Sequence, residues 1–191
     1  MADDPLDGAC AQVGRFLYHF ANLEEEINQA LTKLLKLSPV AADWIIHNVS
    51  FARRFNFVYV VALDQIKDRK GHSQVKKILG KVIQHNEDRN LMAHSRFEPT
   101  NNGVKFIPVR NSAKKTTSWS KGKFKAQCKA MDDLVNQLKG EVVARVRPAK
   151  KSYIETYVMT ADPYQPMRRL EVAFDQAHGT PGLRKTHAKD S

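Results

Sequence analysis

Residues 9–37 read ACAQVGRFLYHFANLEEEINQALTKLLKL, and this stretch decides the fold. Apolar residues recur in it at alternating spacings of three and four, which is the spacing of one face of a helix. These positions form a seam of Val13, Phe16, Phe20, Leu23, Ile27, Ala30, Leu34 and Leu37. A seam of this length predicts a helix that packs lengthwise on other helices. The expected fold is therefore all-α, an antiparallel bundle.

The helical pattern continues in four later segments. Ser38-Pro39 ends the first helix and begins a short one, with Ser38 as its N-cap. A charged run before Gly71 ends the third helix. The predicted helices after the first are residues 38–46, 50–70, 73–94 and 123–146. The bundle is thus expected to contain four to five helices.

Between residues 96 and 120 the pattern changes from helix to strand. Asn102-Gly103 is typical of a type I′ hairpin turn, and it precedes a β-prone run. Residues 116–119 could supply another short strand. We predict a small β-hairpin inserted at about 96–120, before the last long helix, within a bundle domain of residues 1–148.

Residues 149–191 form a separate C-terminal extension of mixed polarity that contains several proline and glycine residues. Tyr153 to Met159 is expected to add a strand or to dock on the bundle. Beyond Ala177 the composition predicts disorder, so the extension is expected to be partly disordered.

The overall composition, 42% hydrophobic and 27% charged residues, is typical of a globular protein. No run of about 18 uncharged apolar residues occurs, and the acidic N-terminus lacks the pattern of a secretory signal. Cys10 and Cys128 are too few for a disulfide framework and have no metal-ligand spacing. We therefore expect a cytoplasmic protein with no membrane segment, metal or cofactor.

Positive charge is concentrated in residues 100–151, which carry 13 Lys and Arg against 3 Asp and Glu. The first 99 residues carry 13 against 12, and residues 152–191 carry 5 against 5. A concentrated positive field attracts phosphate backbones, although a solvated face that aids solubility explains the same pattern. The candidate nucleic-acid ligands lie on the hairpin loop and the start of the last helix: Lys114, Lys115, Lys121, Lys123 and Lys125.

The fourth helix becomes polar near its end. At 100° per residue, four positions continue its apolar face: Asn86, Arg89, Asn90 and Ala93. Polar groups on a core-facing side need partners, so we expect them in a groove or an interface. His94 lies one turn after Asn90, and the helix is expected to end there, with the site at its mouth.

The segment RNLMAH, residues 89–94, resembles the Arg-x4-6-His signature of the HEPN superfamily, including the polar residue that members often carry after the arginine. The resemblance covers roughly residues 9–147. It implies a bundle of four or five helices that is usually dimeric. Many members are metal-independent endoribonucleases, found as toxins of toxin–antitoxin pairs or as effectors of phage defence. The implied partners are RNA, a second copy of the chain and an antitoxin protein.

The sequence departs from one pattern within that family. Some family toxins carry a tyrosine two residues past the histidine, and a partner nucleotidyltransferase modifies it. Arg96 occupies that position here. Silencing by that route is therefore not expected.

The resemblance implies a catalytic group of Arg89, Asn90 and His94. From their positions on the predicted helices, Asn86 and Glu24 are added as supporting residues. Metal-free RNA cleavage needs a group that moves a proton at the ribose 2′-OH or the leaving oxygen, and a cation that holds the phosphate. His94 titrates near neutrality and suits the first role, whereas Arg89 suits the second. A single histidine is poorly suited to act as both general acid and general base, and a dimer would supply two.

Several alternatives remain open at this point. Arg89 and His94 could simply bond carboxylates and carbonyls of the bundle. Glu24 either pairs with Arg89 or belongs to a solvated run of three glutamates. At the level of function, the rival to a ribonuclease is a non-catalytic dimeric helical module that binds nucleic acid or a partner protein through the basic segment 100–151. A purely structural subunit is a third alternative.

Overall fold

A computed structural model describes residues 4–66, 68–109 and 116–144. Over these ranges the chain is mostly helical with one small antiparallel sheet. The elements are α1 (Pro5–Leu35), α2 (Pro39–Asn48), α3 (Phe51–Gln65), α4 (Arg69–Ala93), β1 (Ser95–Thr100), β2 (Gly103–Pro108), β3 (Thr117–Ser120) and α5 (Lys121–Gln137). A π-helical segment, Leu138–Val143, continues α5. The predicted boundary at residue 148 and the whole extension 149–191 lie outside the described residues.

The seam predicted for the first helix is confirmed, because all eight of its positions are buried. Helix α1 begins earlier than expected. The Asp4 carboxylate accepts a hydrogen bond from the backbone N–H of Leu6 at 2.9 Å, and Pro5 stands in the first turn. Lys36 ends the helix in the left-handed conformation, with a φ of 50°.

Contacts between the long helices give their directions. His19 Nδ1 lies 2.7 Å from Asp132 Oδ1. Seven residues further along both segments, Glu26 Oε2 lies 3.4 Å from Lys139 Nζ. Both residue numbers rise together, so α1 and α5 run in the same direction. The expectation of an antiparallel bundle is therefore wrong for this pair of helices. The Phe20 ring lies 5.3 Å from that of Phe51, so α3 begins beside the middle of α1.

The starts of two helices differ from the prediction. The Asp68 carboxylate accepts a hydrogen bond from the Gly71 N–H at 2.6 Å and caps α4, which therefore begins at Arg69 and not near Ser73. Gly71 lies in the first turn of α4, where a Cβ would stand 2.6 Å from the Asp68 carboxylate and would crowd the cap. Ser120 caps α5 in the same way and starts it at Lys121.

The predicted hairpin is one part of a three-stranded sheet of order β1-β2-β3. Thr100 pairs with Gly103, so the two loop residues are Asn101 and Asn102. The predicted type I′ turn at Asn102-Gly103 is wrong, because that turn needs a positive φ at both loop residues, and Lys36 is the one non-glycine residue of the described ranges with a positive φ. Gly103 instead opens β2 with a φ of 156°.

An aromatic cluster anchors the sheet on the helices. The Trp119 side chain is 1% exposed, and its ring lies 5.6 Å from Phe16, 6.2 Å from Phe106 and 5.2 Å from Phe124. The cluster thus joins the N-terminal half of α1, strands β2 and β3, and the start of α5.

Candidate active site

The last three turns of α4 carry the predicted site residues, but the helix is rotated relative to the expected arrangement. Ile78, His85 and Met92 are buried at intervals of seven residues, so they continue the core face of α4. Ala93 is exposed, and Asn86 is only half-buried. The prediction that Asn86, Arg89, Asn90 and Ala93 continue the core face is therefore wrong. The polar residues lie between the core face and solvent.

Two of the three proposed catalytic residues are joined by a side-chain hydrogen bond. Arg89 is half-buried, and its Nη1 donates to Asn90 Oδ1 at 3.2 Å. His94 caps the helix: its backbone N–H donates to the Asn90 carbonyl at 3.1 Å, and its imidazole is exposed. Asn90 and His94 are one helical turn apart, about 40° around the axis. Asn90 thus stands between the arginine and the histidine.

The electrostatics of the helix end favour cations. The C-terminus of a helix carries partial negative charge, which attracts the Arg89 guanidinium. Asp88, which directly precedes Arg89 in the chain, is half-buried. Burial raises the pKa of the Asp88 carboxyl, while the Lys123 ammonium acts in the opposite direction. The charge of Asp88 therefore depends on a residue of α5.

Glu24 does not support Arg89 as one alternative proposed. Its carboxylate accepts a hydrogen bond from Arg54 Nη2 at 2.5 Å. The same guanidinium donates to Asn28 through Nη1, so this group ties α3 to α1. Arg54 is only 5% exposed. Such a buried, paired charge is costly to break, and the role of Glu24 in the described part of the chain is structural.

The glutamate run on α1 is not a uniform solvated face. Glu25 is exposed, but Glu26 is 3% exposed and pairs with Lys139. The sequence contains a signal for both missed residues. Glu26 lies three positions after Leu23, and Arg54 lies three positions after Phe51, so each is a charged residue on an apolar helical face.

His85 is a further residue that the sequence did not single out. It is 5% exposed, and its Nδ1 has no hydrogen-bond partner among the described residues. Burial lowers the pKa of the His85 imidazole, and the nearby Lys81 ammonium lowers it further. His85 precedes Arg89 by one helical turn, so a buried imidazole lies next to the candidate site along α4.

The candidate nucleic-acid lysines fall into different environments. Lys114 and Lys115 lie outside the described residues. Lys121 and Lys125 are exposed at the start of α5. Lys123 differs, because its ammonium lies 4.0 Å from the centroid of the Trp119 ring.

Two other histidines are held by hydrogen bonds. His19 bonds the Asp132 carboxylate at 2.7 Å, and His47 bonds the Asp43 carbonyl at 2.8 Å. Across residues 4–66, 68–109 and 116–144, no three His, Cys, Asp or Glu side chains are grouped so that they could hold a metal ion.

No helix in the described ranges combines the length and the apolar character needed to cross a membrane. Comparison of the chain with protein-family models, with curated proteins and with solved structures gave no match.

Proposed function

We propose that this protein is a metal-independent endoribonuclease of toxin or phage-defence type, acting in the cytoplasm through a HEPN-like helical bundle in residues 1–148. One observation carries the proposal. The Arg-x4-His segment lies at a helix end where the half-buried Arg89 bonds Asn90 while the His94 imidazole is open to solvent. A phosphodiester can approach such a helix end, whereas it cannot approach a buried arginine–histidine pair.

The proposed reaction divides the chemistry between the two residues. Arg89 uses guanidinium N–H groups other than the one bonded to Asn90 to hold the scissile phosphate and its developing charge. His94 removes the proton of the ribose 2′-OH, and the resulting oxygen attacks phosphorus. The 5′-oxygen leaves and takes a proton from an imidazolium. The products are a 2′,3′-cyclic phosphate and a 5′-hydroxyl, with no metal ion involved.

A second copy of the chain completes the proposed site. Within the described residues of one chain, His94 is the exposed histidine at the end of α4 that carries Arg89, and a single imidazole begins the cycle in only one protonation state. In a homodimer, one histidine acts as base while His94 of the second copy acts as acid. We propose an antitoxin protein as the inhibitor of this activity.

The test uses purified protein and single-stranded RNA in EDTA. We expect cleavage that leaves 2′,3′-cyclic phosphate ends, and we expect His94→Ala to lower its rate by about 100-fold or more. His47→Ala is the matched control, because His47 is also exposed and lies in the last turn of a helix. The circular dichroism of both variants should equal that of the wild type. Undiminished cleavage by the His94→Ala protein would contradict the assignment.

A second candidate function rests on charge alone. Residues 100–151 carry most of the net charge of +11, and Lys121 and Lys125 are exposed. These features favour a non-catalytic dimeric module that binds nucleic acid through this segment. The same assay distinguishes the two functions. A wild-type protein that binds RNA but leaves it intact supports the module and contradicts the ribonuclease.

A further inference from the structure

A groove runs between α1 and α5, and the proposed ribonuclease site does not use it. Its volume is about 360 Å³, which lies near the lower end of the range for small-ligand sites, roughly 300–1,000 Å³. The residues that line this α1–α5 groove are Asn22, Glu25, Glu26, Gln29, Asp132, Val135, Asn136 and Lys139. Three carboxylates and three carboxamides thus share the groove with one ammonium.

Each of the three carboxylates is held through one of its oxygens. The contacts are Glu25 Oε1 with Gln29 Nε2 at 3.0 Å, Glu26 Oε2 with Lys139 Nζ at 3.4 Å, and Asp132 Oδ1 with His19 Nδ1 at 2.7 Å. The second oxygen of each carboxylate has no partner within the described ranges. The groove therefore presents three acceptor oxygens on side chains that are already held in place, which lowers the entropic cost of binding a donor.

Glu26 is the acceptor with the least satisfied surroundings. Its side chain is 4% exposed, yet it accepts no hydrogen bond in the described part of the chain, and its ion pair is with a lysine whose side chain is 59% exposed. A buried carboxylate is costly unless charged donors engage its oxygens. Since Glu26 lines the groove, a donor that enters the groove is placed to engage its second oxygen.

The charge of the groove is opposite to that of the protein. The chain has a net charge of +11, whereas the groove contains three carboxylates and one ammonium. A cationic ligand is therefore repelled by most of the surface and attracted to the groove. The carboxylates do not form a metal site, because no three His, Cys, Asp or Glu side chains among the described residues are grouped so that they could hold an ion. These features indicate an organic cation.

The opposite side of α1 shows how this chain binds such a cation. There the Arg54 guanidinium donates to the Glu24 carboxylate and to the Asn28 carboxamide. The groove offers the same combination of acceptors, because each of its two walls carries both kinds of side chain. With the carboxamide oxygens included, the acceptors outnumber the three donors of an ammonium, whereas a guanidinium has five. The groove therefore favours an arginine side chain over a lysine side chain.

We propose that the α1–α5 groove is a binding site for an arginine side chain presented by a peptide segment of another protein. The guanidinium donates to the second oxygens of Glu26 and Asp132, and Val135 contacts the aliphatic stem. A free arginine is a poorer ligand, because its own carboxylate is repelled by those of the groove. Lys139 competes with the ligand for Glu26. This inference goes beyond the proposed ribonuclease function and does not depend on it.

The experiment titrates the full chain with a capped glycine–arginine–glycine peptide and follows the backbone amide signals by NMR. Peptides with lysine or with uncharged citrulline in place of the arginine, and free arginine, are titrated in parallel. Asp132→Asn and Asp133→Asn are a matched pair, because their side chains are 53% and 55% exposed and, of the two, Asp132 lines the groove. Lys139→Met removes the competing ammonium.

We expect the arginine peptide to shift the amide signals of the groove residues and to bind more tightly than the other three ligands. Asp132→Asn should lower its affinity by about five- to tenfold, because a charged hydrogen bond is lost, and Asp133→Asn should stay within about twofold of the wild type. Lys139→Met should raise the affinity, because the Glu26 carboxylate is then open to the guanidinium.

Four results would overturn the inference. The first is the absence of shifts at the groove residues with the arginine peptide. The second is an equal loss of affinity in Asp132→Asn and Asp133→Asn, because the peptide would then respond to general charge. The third is a citrulline peptide that binds as tightly as the arginine peptide. The fourth is free arginine that does so, because the groove would then be a small-molecule site. The RNA cleavage assay decides the ribonuclease function separately.

Discussion

At the scale of single residues, Gly103 is a position where the backbone leaves no room for a side chain. Its φ is 156°, and a Cβ added there would stand 1.9 Å from the Trp119 carbonyl oxygen, a backbone atom of the paired strand. Because that atom cannot move without breaking the ladder between β2 and β3, we expect Gly103→Ala to lower the free energy of unfolding by about 1–3 kcal/mol. Urea denaturation followed by circular dichroism measures the change.

Gly80→Ala provides the control for this prediction. Gly80 is exposed in the middle of α4, and a Cβ there would have no neighbour within 4 Å. Alanine favours the helix, so this variant should be more stable than the wild type by about 0.5–1 kcal/mol. If both variants are equally stable, the close approach of β3 to Gly103 is not a constraint on the fold.

At the scale of elements, the stability that α4 contributes to the fold depends on pH through the buried His85. The pKa of its imidazole is lowered in the folded state, so the unfolded chain binds the proton more tightly. The stability contributed by the neutral imidazole is complete above the ordinary value of 6.5 and decreases as the pH falls below it. We expect the wild type to lose stability from about pH 7 to pH 5 more steeply than His85→Leu. Urea denaturation at stepped pH measures the difference, and parallel curves would contradict the prediction.

The sequence predicted a helix correctly where its apolar residues defined a single face that could be buried. All eight residues of the α1 seam are apolar and share one helical spacing, so their burial was correctly predicted. Near the end of α4, the face with Asn86 and Arg89 and the face with His85 both carry polar residues, so the pattern did not show which of them packs in the core. The face with His85 is the buried one, and hydrophobic periodicity cannot predict the burial of a polar residue. The Arg54–Glu24 pair was missed for the same reason, since a buried charge needs a tertiary partner that spacing cannot supply.

At the scale of the whole molecule, the proposed chemistry requires two chains. The α1 seam is buried within one chain, so it cannot serve as the dimer interface. The exposed Ile83, 46% accessible, lies on the same side of α4 as Asn90 and His94, at spacings of seven and eleven residues. We expect light scattering to give about twice the chain mass of 21.7 kDa, and Ile83→Glu to shift the protein toward the monomer.

Val40→Glu is the control for the dimer prediction, because Val40 is 74% exposed on α2. This variant should stay dimeric at the same micromolar concentration. A wild-type protein that scatters as a monomer would contradict both the dimer and the mechanism with two histidines.

The junction between α4 and β1 contains a single residue, because Ala93 ends the helix, His94 caps it, and Ser95 begins the strand. The length of the chain is therefore fixed at this point. One residue inserted before His94 would rotate the imidazole by about 100° around the helix axis. One residue inserted after it would turn the following strand side chains to the opposite face of the sheet. An insertion at this junction would therefore misplace either the His94 imidazole or the side chains of the sheet.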